Sequence, residues 1–364
     1  MRVSWDFVMA WTKSENQDFT KDERGWQKGK PRKYTETDEY RVLEIREELE
    51  RDKKIFFAGA SAILQVYKER YPDIKSPSLR FIGRVLSKHG KATKRRGSKR
   101  GASHYLLYPA YTINNLGERL LEIDFIGKKF IKGRTDPINF IGFSLRNPSL
   151  KHFRRISGET AENVIEESKR FFEKFCKPDV VKVDNAFSMR GSSSGERPIS
   201  RVMMFFLKEK ILPIFTAPRK PWNQASIEGA NSVFARKFWN RFEFRKLKEI
   251  DEKLDLFNEA YRKYCEFPDQ PLQSKEKSNY IPKIYYIRKV YEEECGKGYI
   301  EVANTKVLLP PEYINLFVLT EWNLKEEKLT VNLERERELF VIDRIPFEVN
   351  PVSEEKLSDF LGKC

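Results

Sequence analysis

The fold class follows from residues 120–127, which read LLEIDFIG, a nearly continuous apolar segment that contains two acids. Short apolar runs of this kind are typical of strands that are buried on both faces. Two further runs, DVVKVDN at 179–185 and ILPIFTAP at 211–218, have the same character. The segments that separate them have helical periodicity, so we predict an α/β fold.

The order of the elements extends this prediction. Residues 138–146 and 151–157 are two more predicted strands, and residues 160–176 form an amphipathic helix with Thr160 as its N-cap. The chain then alternates strand and helix, which predicts an α/β domain with a mixed sheet over residues 111–270. The remaining predicted helices cover 199–210, 226–239 and 247–265.

Residues 36–92 are predicted to form three short helices, the first beginning near Asp38 and the third capped by Ser78. This pattern favours a helix-turn-helix DNA-binding domain, with the third helix suited to the major groove. An ordinary three-helix bundle with a polar face is the alternative. The third helix has an apolar face of Leu79, Ile82, Val85 and Leu86, and a basic face of Arg80, Arg84 and Lys88.

Basic charge is concentrated at the front of the chain. The net charge is +15, and residues 1–110 carry 25 basic and 15 acidic side chains. We interpret 1–35 as a partial helix-turn-helix remnant with a basic linker, and 93–110 as a second basic linker. Such segments bind phosphates, although a solvated tether is the alternative. The densest cluster holds Lys88, Lys91, Lys94, Arg95, Arg96, Lys99 and Arg100.

The C-terminal part alternates short apolar strands with turn residues, which predicts a small SH3-like β-barrel over 276–350, followed by a tail at 351–364. We expect Phe317, Trp322 and Phe340 of this slightly acidic region to contact another subunit.

Several function classes lose support. The longest apolar run, Val202–Leu207, is too short to span a bilayer, and the first ten residues do not resemble a signal peptide, so we expect a cytoplasmic, nucleoid-associated protein without membrane contact. The four cysteines form no C-x-x-C pair, which predicts reduced thiols. The three scattered histidines have no partners at catalytic spacing, which disfavours serine and cysteine hydrolases. The sequence contains no phosphate-binding loop motif, so we expect no nucleotide cofactor.

Three acids remain as candidates for chemistry. Asp124 and Asp184 lie in predicted buried strands, where an unpaired carboxylate is costly, and Glu228 lies near the start of a helix. Each aspartate could instead cap a neighbouring backbone or pair with a lysine such as Lys182. Converging at one end of a sheet, the three would offer the hard oxygen ligands that Mg²⁺ or Mn²⁺ prefers.

The stretch from 120 to 239 resembles the retroviral-integrase-type catalytic core of bacterial insertion-sequence DDE transposases. The motifs are I-D-F at 123–125, V-D-N at 183–185 and PWNQASIEGAN at 221–231. The resemblance implies an RNase H-like core in which Asp124, Asp184 and Glu228 are the catalytic, metal-binding triad. Asn223 and Asn231 match positions that the family often fills with Asn, and we expect them to contact DNA. We expect the same of Arg236 and Lys237, which lie slightly beyond the family's basic positions after the glutamate. The chain departs from the family's pattern at Ala186, at Gly229 and in the 43 residues between the last two acids.

This resemblance implies two-metal cleavage and strand transfer at the ends of a mobile element, by a homo-oligomer on double-stranded element and target DNA. A tyrosine recombinase would need a histidine and arginine constellation that the sequence lacks. An inactive or domesticated DNA-binding relic and an RNase H-like metal nuclease without strand transfer remain as alternatives.

Overall fold

The computed structural model describes residues 33–52, 55–92, 108–191, 195–273 and 279–361. The chain divides into two compact units. The smaller contains the described residues among 33–46 and 63–92, and the larger contains those among 47–62 and 108–361. The predicted segment 1–32 and most of the predicted basic linker, 93–107, lie outside the described residues.

The smaller unit contains most of helices α1 (Glu36–Arg51) and α2 (Ala60–Arg70) and all of α3 (Leu79–Lys88). The side chain of Ser78 accepts a hydrogen bond from the Phe81 N–H, which confirms the predicted cap. The first cap differs from the prediction, because Asp38 lies in the first turn and accepts from the backbone N–H of Thr35 at 2.8 Å.

The apolar face of α3 also differs from the prediction. Leu79 is 49% exposed, whereas Phe81 is 7% exposed and lies with Ile82, Val85 and Leu86 on the buried side. Leu79 is the first residue of the helix, so its side chain precedes the turn that packs against the unit. The helix-turn-helix interpretation itself stays a prediction.

The larger unit is built on a nine-stranded sheet with the order β12-β11-β10-β6-β5-β4-β1-β2-β3. Strands β1, β4, β5 and β6 are parallel neighbours, and the other pairs are antiparallel. The predicted mixed α/β fold is therefore confirmed. The strands are β1 (Leu120–Lys129), β2 (Ile138–Arg146), β3 (Leu150–Ile156), β4 (Val180–Val183), β5 (Leu212–Phe215), β6 (Lys283–Lys289), β7 (Tyr291–Glu292), β8 (Gly298–Val302), β9 (Thr305–Leu309), β10 (Phe317–Asn323), β11 (Lys328–Arg335) and β12 (Glu338–Pro346).

Helices cover both faces of this sheet. The Thr160 side chain accepts from the Asn163 N–H at 3.3 Å, so the predicted N-cap is confirmed. Short 3₁₀ turns occupy Pro221–Gln224, Trp239–Arg241 and Pro311–Tyr313. The helices are α4 (Ala110–Asn115), α5 (Ala161–Lys174), α6 (Phe187–Arg190), α7 (Arg201–Lys208), α8 (Ala225–Lys237), α9 (Leu247–Tyr264) and α10 (Pro351–Leu361).

The C-terminal strands do not confirm a separate barrel over 276–350. Strand β6 pairs with β5, and β10 to β12 extend the same sheet. Without β6, the backbone groups of β5 would be unpaired at the edge of the sheet. Only β7, β8 and β9 form a small sheet of their own. The alternating sequence pattern predicted the strands but carried no information about their partners.

The aromatic side chains expected at a subunit contact are mostly internal. Trp322 and Phe317 are buried in the unit's own core, whereas Phe340 on β12 is 49% exposed. The predicted tail at 351–364 begins with helix α10, whose Leu357 is buried and whose Ser353 hydroxyl accepts from the Ile199 N–H at 3.1 Å.

Strand β1 separates two hydrophobic cores. Leu121 and Ile123 face the core that contains residues of α5 and α7, and Ile126 faces the core that contains residues of α8 and α9. Side chains alternate along a strand, so Glu122 and Asp124 lie on the α8 side with Ile126. The sequence thus places both acids under helix α8.

No helix among the described residues is long and apolar enough to cross a membrane. Cys176, Cys265 and Cys295 are free thiols, whereas Cys364 lies beyond the described part of the chain.

Candidate active site

Asp124 and Asp184 are brought together by strand register. Strands β1 and β4 are parallel, and Glu122 lies opposite Lys182. Each aspartate follows its member of that pair by two residues, so both lie at the same edge of the sheet. Both side chains are half-buried.

Glu228 reaches the same place from a helix. It lies in the first turn of α8, which the 3₁₀ turn Pro221–Gln224 introduces, and it is exposed. All three predicted acids line one cleft of about 510 Å³, together with the basic residues Arg219 and Lys220. The structure thus brings together acids that are 60 and 44 positions apart in the sequence.

The electrostatics of the cleft centre on Asp124. Burial raises the pKa of its carboxyl to about 7, and the negative charges of Asp184 and Glu228 contribute. Burial also raises the pKa of Asp184, against a hydrogen bond from the Ala186 N–H at 3.0 Å. For Asp184 the backbone-capping alternative therefore holds alongside its place in the cleft.

Asn231 is the side-chain donor to Asp124. Its Nδ2 donates to Oδ2 of Asp124 at 2.8 Å, which lowers the pKa of that carboxyl against the larger effect of burial. Gly142, the register partner of Asp124 on β2, permits the approach of α8. A Cβ there would lie 3.1 Å from Asn231 Oδ1 and from Ile227 Cδ1. A lone glycine within a strand pattern is the sequence signal for such a close approach.

Sequence reasoning missed Glu122, which is fully buried beside the cleft. Its carboxylate forms ion pairs with Arg146 at 2.7 Å and with Lys182 at 2.8 Å. It also accepts a hydrogen bond from the Ile227 N–H at 2.9 Å, so it holds the start of α8 one residue before Glu228. Lys182 therefore pairs with Glu122 rather than with either cleft aspartate, contrary to one sequence alternative. The sequence showed an acid in one strand and a lysine in another, but only the register of β1 and β4 pairs them.

A second polar group supports the same helix. Lys151 Nζ donates to the hydroxyl of Ser144 at 2.6 Å and to that of Ser226 at 2.9 Å, and the two hydroxyls lie 2.8 Å apart. Ser226 belongs to the first turn of α8. Helix α8 has no side-chain N-cap of its own. Its first turn is instead held by hydrogen bonds to side chains of β1, β2 and β3.

The predicted DNA contacts have different surroundings. Arg80 and Arg84 are exposed on α3, Lys88 is exposed and pairs with Glu39 at 2.7 Å, and Lys91 is half-buried. Lys94, Arg95, Arg96, Lys99 and Arg100 lie outside the described residues.

Four further predicted contacts lie on or next to α8. Asn223 is 2% exposed, so its side chain does not reach the surface in this structure, and Asn231 contacts Asp124. Arg236 and Lys237 are exposed in the last turn of α8. They lie about 12 Å along the helix from Glu228, since an α-helix rises about 1.5 Å per residue.

The donor set of the cleft fits divalent cations. The three carboxylates supply hard oxygen ligands, and Asp124 carries a charge that no basic side chain neutralises by hydrogen bonding among the described residues. In the part of the chain that the structure describes, no three histidine, cysteine or acidic side chains are close enough to hold a single ion. A pair of ions that share Asp124 would need only two of the carboxylates each.

No family model and no curated protein matches this chain. Among solved structures, it is similar to the catalytic core domain of BIV integrase at 16% identity and a TM-score of 0.29, over 40% of this chain and 82% of the other. It is also similar to a chain of the simian T-cell lymphotropic virus intasome in complex with PP2A regulatory subunit B56 gamma. There the identity is 12% and the TM-score 0.35, over 71% of this chain and 94% of the other. Values this low carry no argument about activity, so the case for function rests on the residues of the cleft.

Proposed function

We propose that this chain is a divalent-metal-dependent DDE transposase or integrase, which binds the ends of a mobile DNA element and catalyses DNA cleavage and strand transfer. The observation that carries the proposal is the common cleft of Asp124, Asp184 and Glu228. These acids come from two adjacent parallel strands and a helix entrance, in the chain order that the resemblance to this family implies.

Each side chain has a distinct task. Asp124 would contact both ions, Asp184 would complete one site and Glu228 the other. Two Mg²⁺ or Mn²⁺ ions, when bound, would supply Lewis-acid stabilisation of the charge that develops on a reacting phosphodiester. Arg219 and Lys220 on the rim would bind phosphate oxygens, because they are the cations that line the same cleft.

DNA binding would involve the smaller unit as well. Arg80 and Arg84 are exposed on α3 and available to a phosphate backbone or a groove. Two element ends have to be joined to one target, so the chain would act as a homo-oligomer on double-stranded DNA.

The test is an assay with DNA that carries the inverted repeats flanking the gene. Asp124→Asn, Asp184→Asn and Glu228→Gln should each lower Mn²⁺-dependent cleavage and joining by about 10³-fold or more, because each removes an ion ligand worth several kcal/mol. DNA binding should persist. Asp136→Asn is the matched control, since Asp136 is 80% exposed and lies outside the cleft.

Three results would count against the proposal. A triad variant that still joins DNA ends would exclude that acid from the site. Wild-type cleavage without joined products would identify a metal nuclease, and specific DNA binding without cleavage would identify a DNA-binding relic.

A further inference from the structure

A second cavity adjoins the cleft inside the larger unit. Its volume is about 400 Å³, and it shares Asn185, Pro218 and Arg219 with the cleft. Asn185 directly follows Asp184, so this cavity begins one residue from the predicted site. Its far wall belongs to β6, β7 and β8, elements that the sequence analysis did not connect with chemistry.

The lining of this cavity is strongly basic. Four cationic side chains and a single acidic residue, Glu301, line it. The cations are Arg190, Arg219, Arg288 and Lys289.

Arg288 is the most buried of these cations, at 7% exposed. Its guanidinium donates to the backbone oxygens of Thr216 at 2.9 Å and Glu301 at 2.7 Å, and to Oδ1 of Asn185 at 3.0 Å. These acceptors are neutral, as are the Ile287 carbonyl and the Tyr286 ring that also contact the guanidinium, so no carboxylate in the described part of the chain hydrogen-bonds this buried charge. The Nε of Arg190 is buried without a hydrogen-bond partner. Both features favour an anion in the cavity, since a buried charge is stabilised by an opposite charge.

Tyrosine rings line the same cavity as these cations. Tyr291 is 42% exposed, its ring centroid lies 6.0 Å from that of Tyr299, and Lys289 Nζ lies 5.4 Å from the Tyr291 centroid. Cationic groups interleaved with exposed rings are typical of sites for single-stranded nucleic acid, where bases stack and phosphates pair with charge. A cavity of this volume admits a single nucleotide but not an intact duplex.

We propose that this cavity holds an unpaired nucleotide of the nucleic-acid substrate, with its phosphate near Arg190, Arg288 and Lys289 and its base stacked on Tyr291. The inference rests on the proposed function, because the shared wall at Asn185 places the occupant next to Asp184. It adds to that function a preference for DNA whose strands are separated beside the scissile phosphodiester.

The experiment compares two fluorescein-labelled duplexes that differ only in a single-stranded extension of a few nucleotides, with EDTA present to prevent cleavage. The wild-type chain should bind the extended duplex about tenfold more tightly than the blunt one, since stacking of one base contributes about 1–3 kcal/mol. Lys289→Gln and Tyr291→Ala should each weaken binding of the extended duplex more than that of the blunt one, so that the preference falls at least about threefold.

Lys328→Gln is the matched control, because Lys328 is an exposed lysine on β11 that does not line the cavity. Arg288 is left intact, since its hydrogen bonds join β6 to neighbouring segments.

The outcomes separate this inference from the function on which it rests. A wild-type chain that cuts DNA in the Mn²⁺ assay of the proposed function, but binds both duplexes equally in EDTA, overturns the cavity assignment alone. The same holds if both variants retain the full preference. A wild-type chain that neither cuts nor binds either duplex overturns the proposed function together with this site.

Discussion

Glu122 and Asp124 lie two residues apart on the same face of β1, yet their surroundings are opposite. Glu122 is fully buried and is neutralised by Arg146 and Lys182. Asp124 is half-buried, its side-chain donor is the neutral amide of Asn231, and the neighbouring charges that shift its pKa are those of two acids. One strand thus carries a carboxylate whose charge is balanced by the protein and another whose charge is left for a ligand.

This difference in charge balance identifies Glu122 as a positioning residue and Asp124 as a candidate metal ligand. The balanced acid holds elements together, because its three partners lie on β2, β4 and α8. The unbalanced acid has a pKa raised to about 7 by burial and by its acidic neighbours, which is a cost that a cation would remove.

The largest effect is expected from removal of the balanced acid. Glu122→Leu should lower the free energy of unfolding by about 3–5 kcal/mol, because Lys182 would be left buried without a counter-charge. Lys182 is 3% exposed, so water cannot replace the lost partner. Adding Lys182→Met to Glu122→Leu should restore more than half of the loss, since it removes the buried unpaired charge, whereas Arg146, whose side chain is 35% exposed, can be hydrated. Urea unfolding of the wild type, of Glu122→Leu and of the double variant measures these differences.

The control for this prediction is Glu166→Leu, which breaks the exposed ion pair between Glu166 and Arg170 on α5. Its effect should stay below about 1 kcal/mol. A loss of similar size in Glu122→Leu and Glu166→Leu would show that the buried network does not hold the sheet and α8 together.

The second effect concerns the unbalanced acid and depends on pH. The pKa of Asp124 is about 7 in the folded chain, against 3.8 ordinarily, so between these values the folded state holds a proton that the unfolded state has released. Wild-type stability should therefore fall, relative to Asp124→Asn, as pH rises from about 4 through about 7. In EDTA at about pH 8 we expect the variant to be more stable by about 1–3 kcal/mol, since one pKa unit corresponds to about 1.4 kcal/mol.

Urea unfolding across this pH range, with and without Mg²⁺, measures the difference. Bound Mg²⁺ should reduce the advantage of the variant, because the ion stabilises the ionised form of Asp124. Asp136→Asn, at a position that is 80% exposed, should follow the wild type at every pH. Equal stability of wild type and Asp124→Asn at about pH 8 would show that the cleft does not strain the carboxylate.

The sequence was sufficient for the elements of the core and for its three candidate acids. Apolar runs, caps such as Thr160 and acids within strands are visible in a few consecutive residues, so they can be recognised without knowledge of the tertiary structure. It was insufficient for pairings that depend on distant segments. Strand β6 adds to the edge of β5 through Ile214 and Tyr285, and no local feature of either strand specifies the other as its partner.

The same limit explains why the two acids of β1 could not be told apart. Glu122 and Asp124 occur in the same apolar run, and either could have been the partner of Lys182. Register decides, because Glu122 lies directly opposite Lys182. The aromatic residues expected at a subunit contact show the same limit, since Phe340 is exposed on the edge strand β12 whereas Phe317 and Trp322 are buried in the unit's own core.

The smallest effect tests the neutral donor of the unbalanced acid. Asn231→Ala removes the amide that donates to Asp124, and the pKa of Asp124 should then rise further above about 7, because this hydrogen bond lowers it. At about pH 7 a larger fraction of Asp124 would be protonated, so Mn²⁺ affinity should fall about three- to tenfold. At about pH 9 the wild type and Asn231→Ala should differ less in Mn²⁺ affinity, because Asp124 is ionised in both.

Titration calorimetry with Mn²⁺ at the two pH values measures the change. The control is Asn240→Ala, since Asn240 is an exposed asparagine beyond α8. A loss of affinity that is equal at both pH values would mean that Asn231 acts on the geometry of the cleft rather than on the charge of Asp124. The contact between Asn231 and Asp124 would then be structural, like the contacts of Glu122, and would not set the charge of the carboxyl.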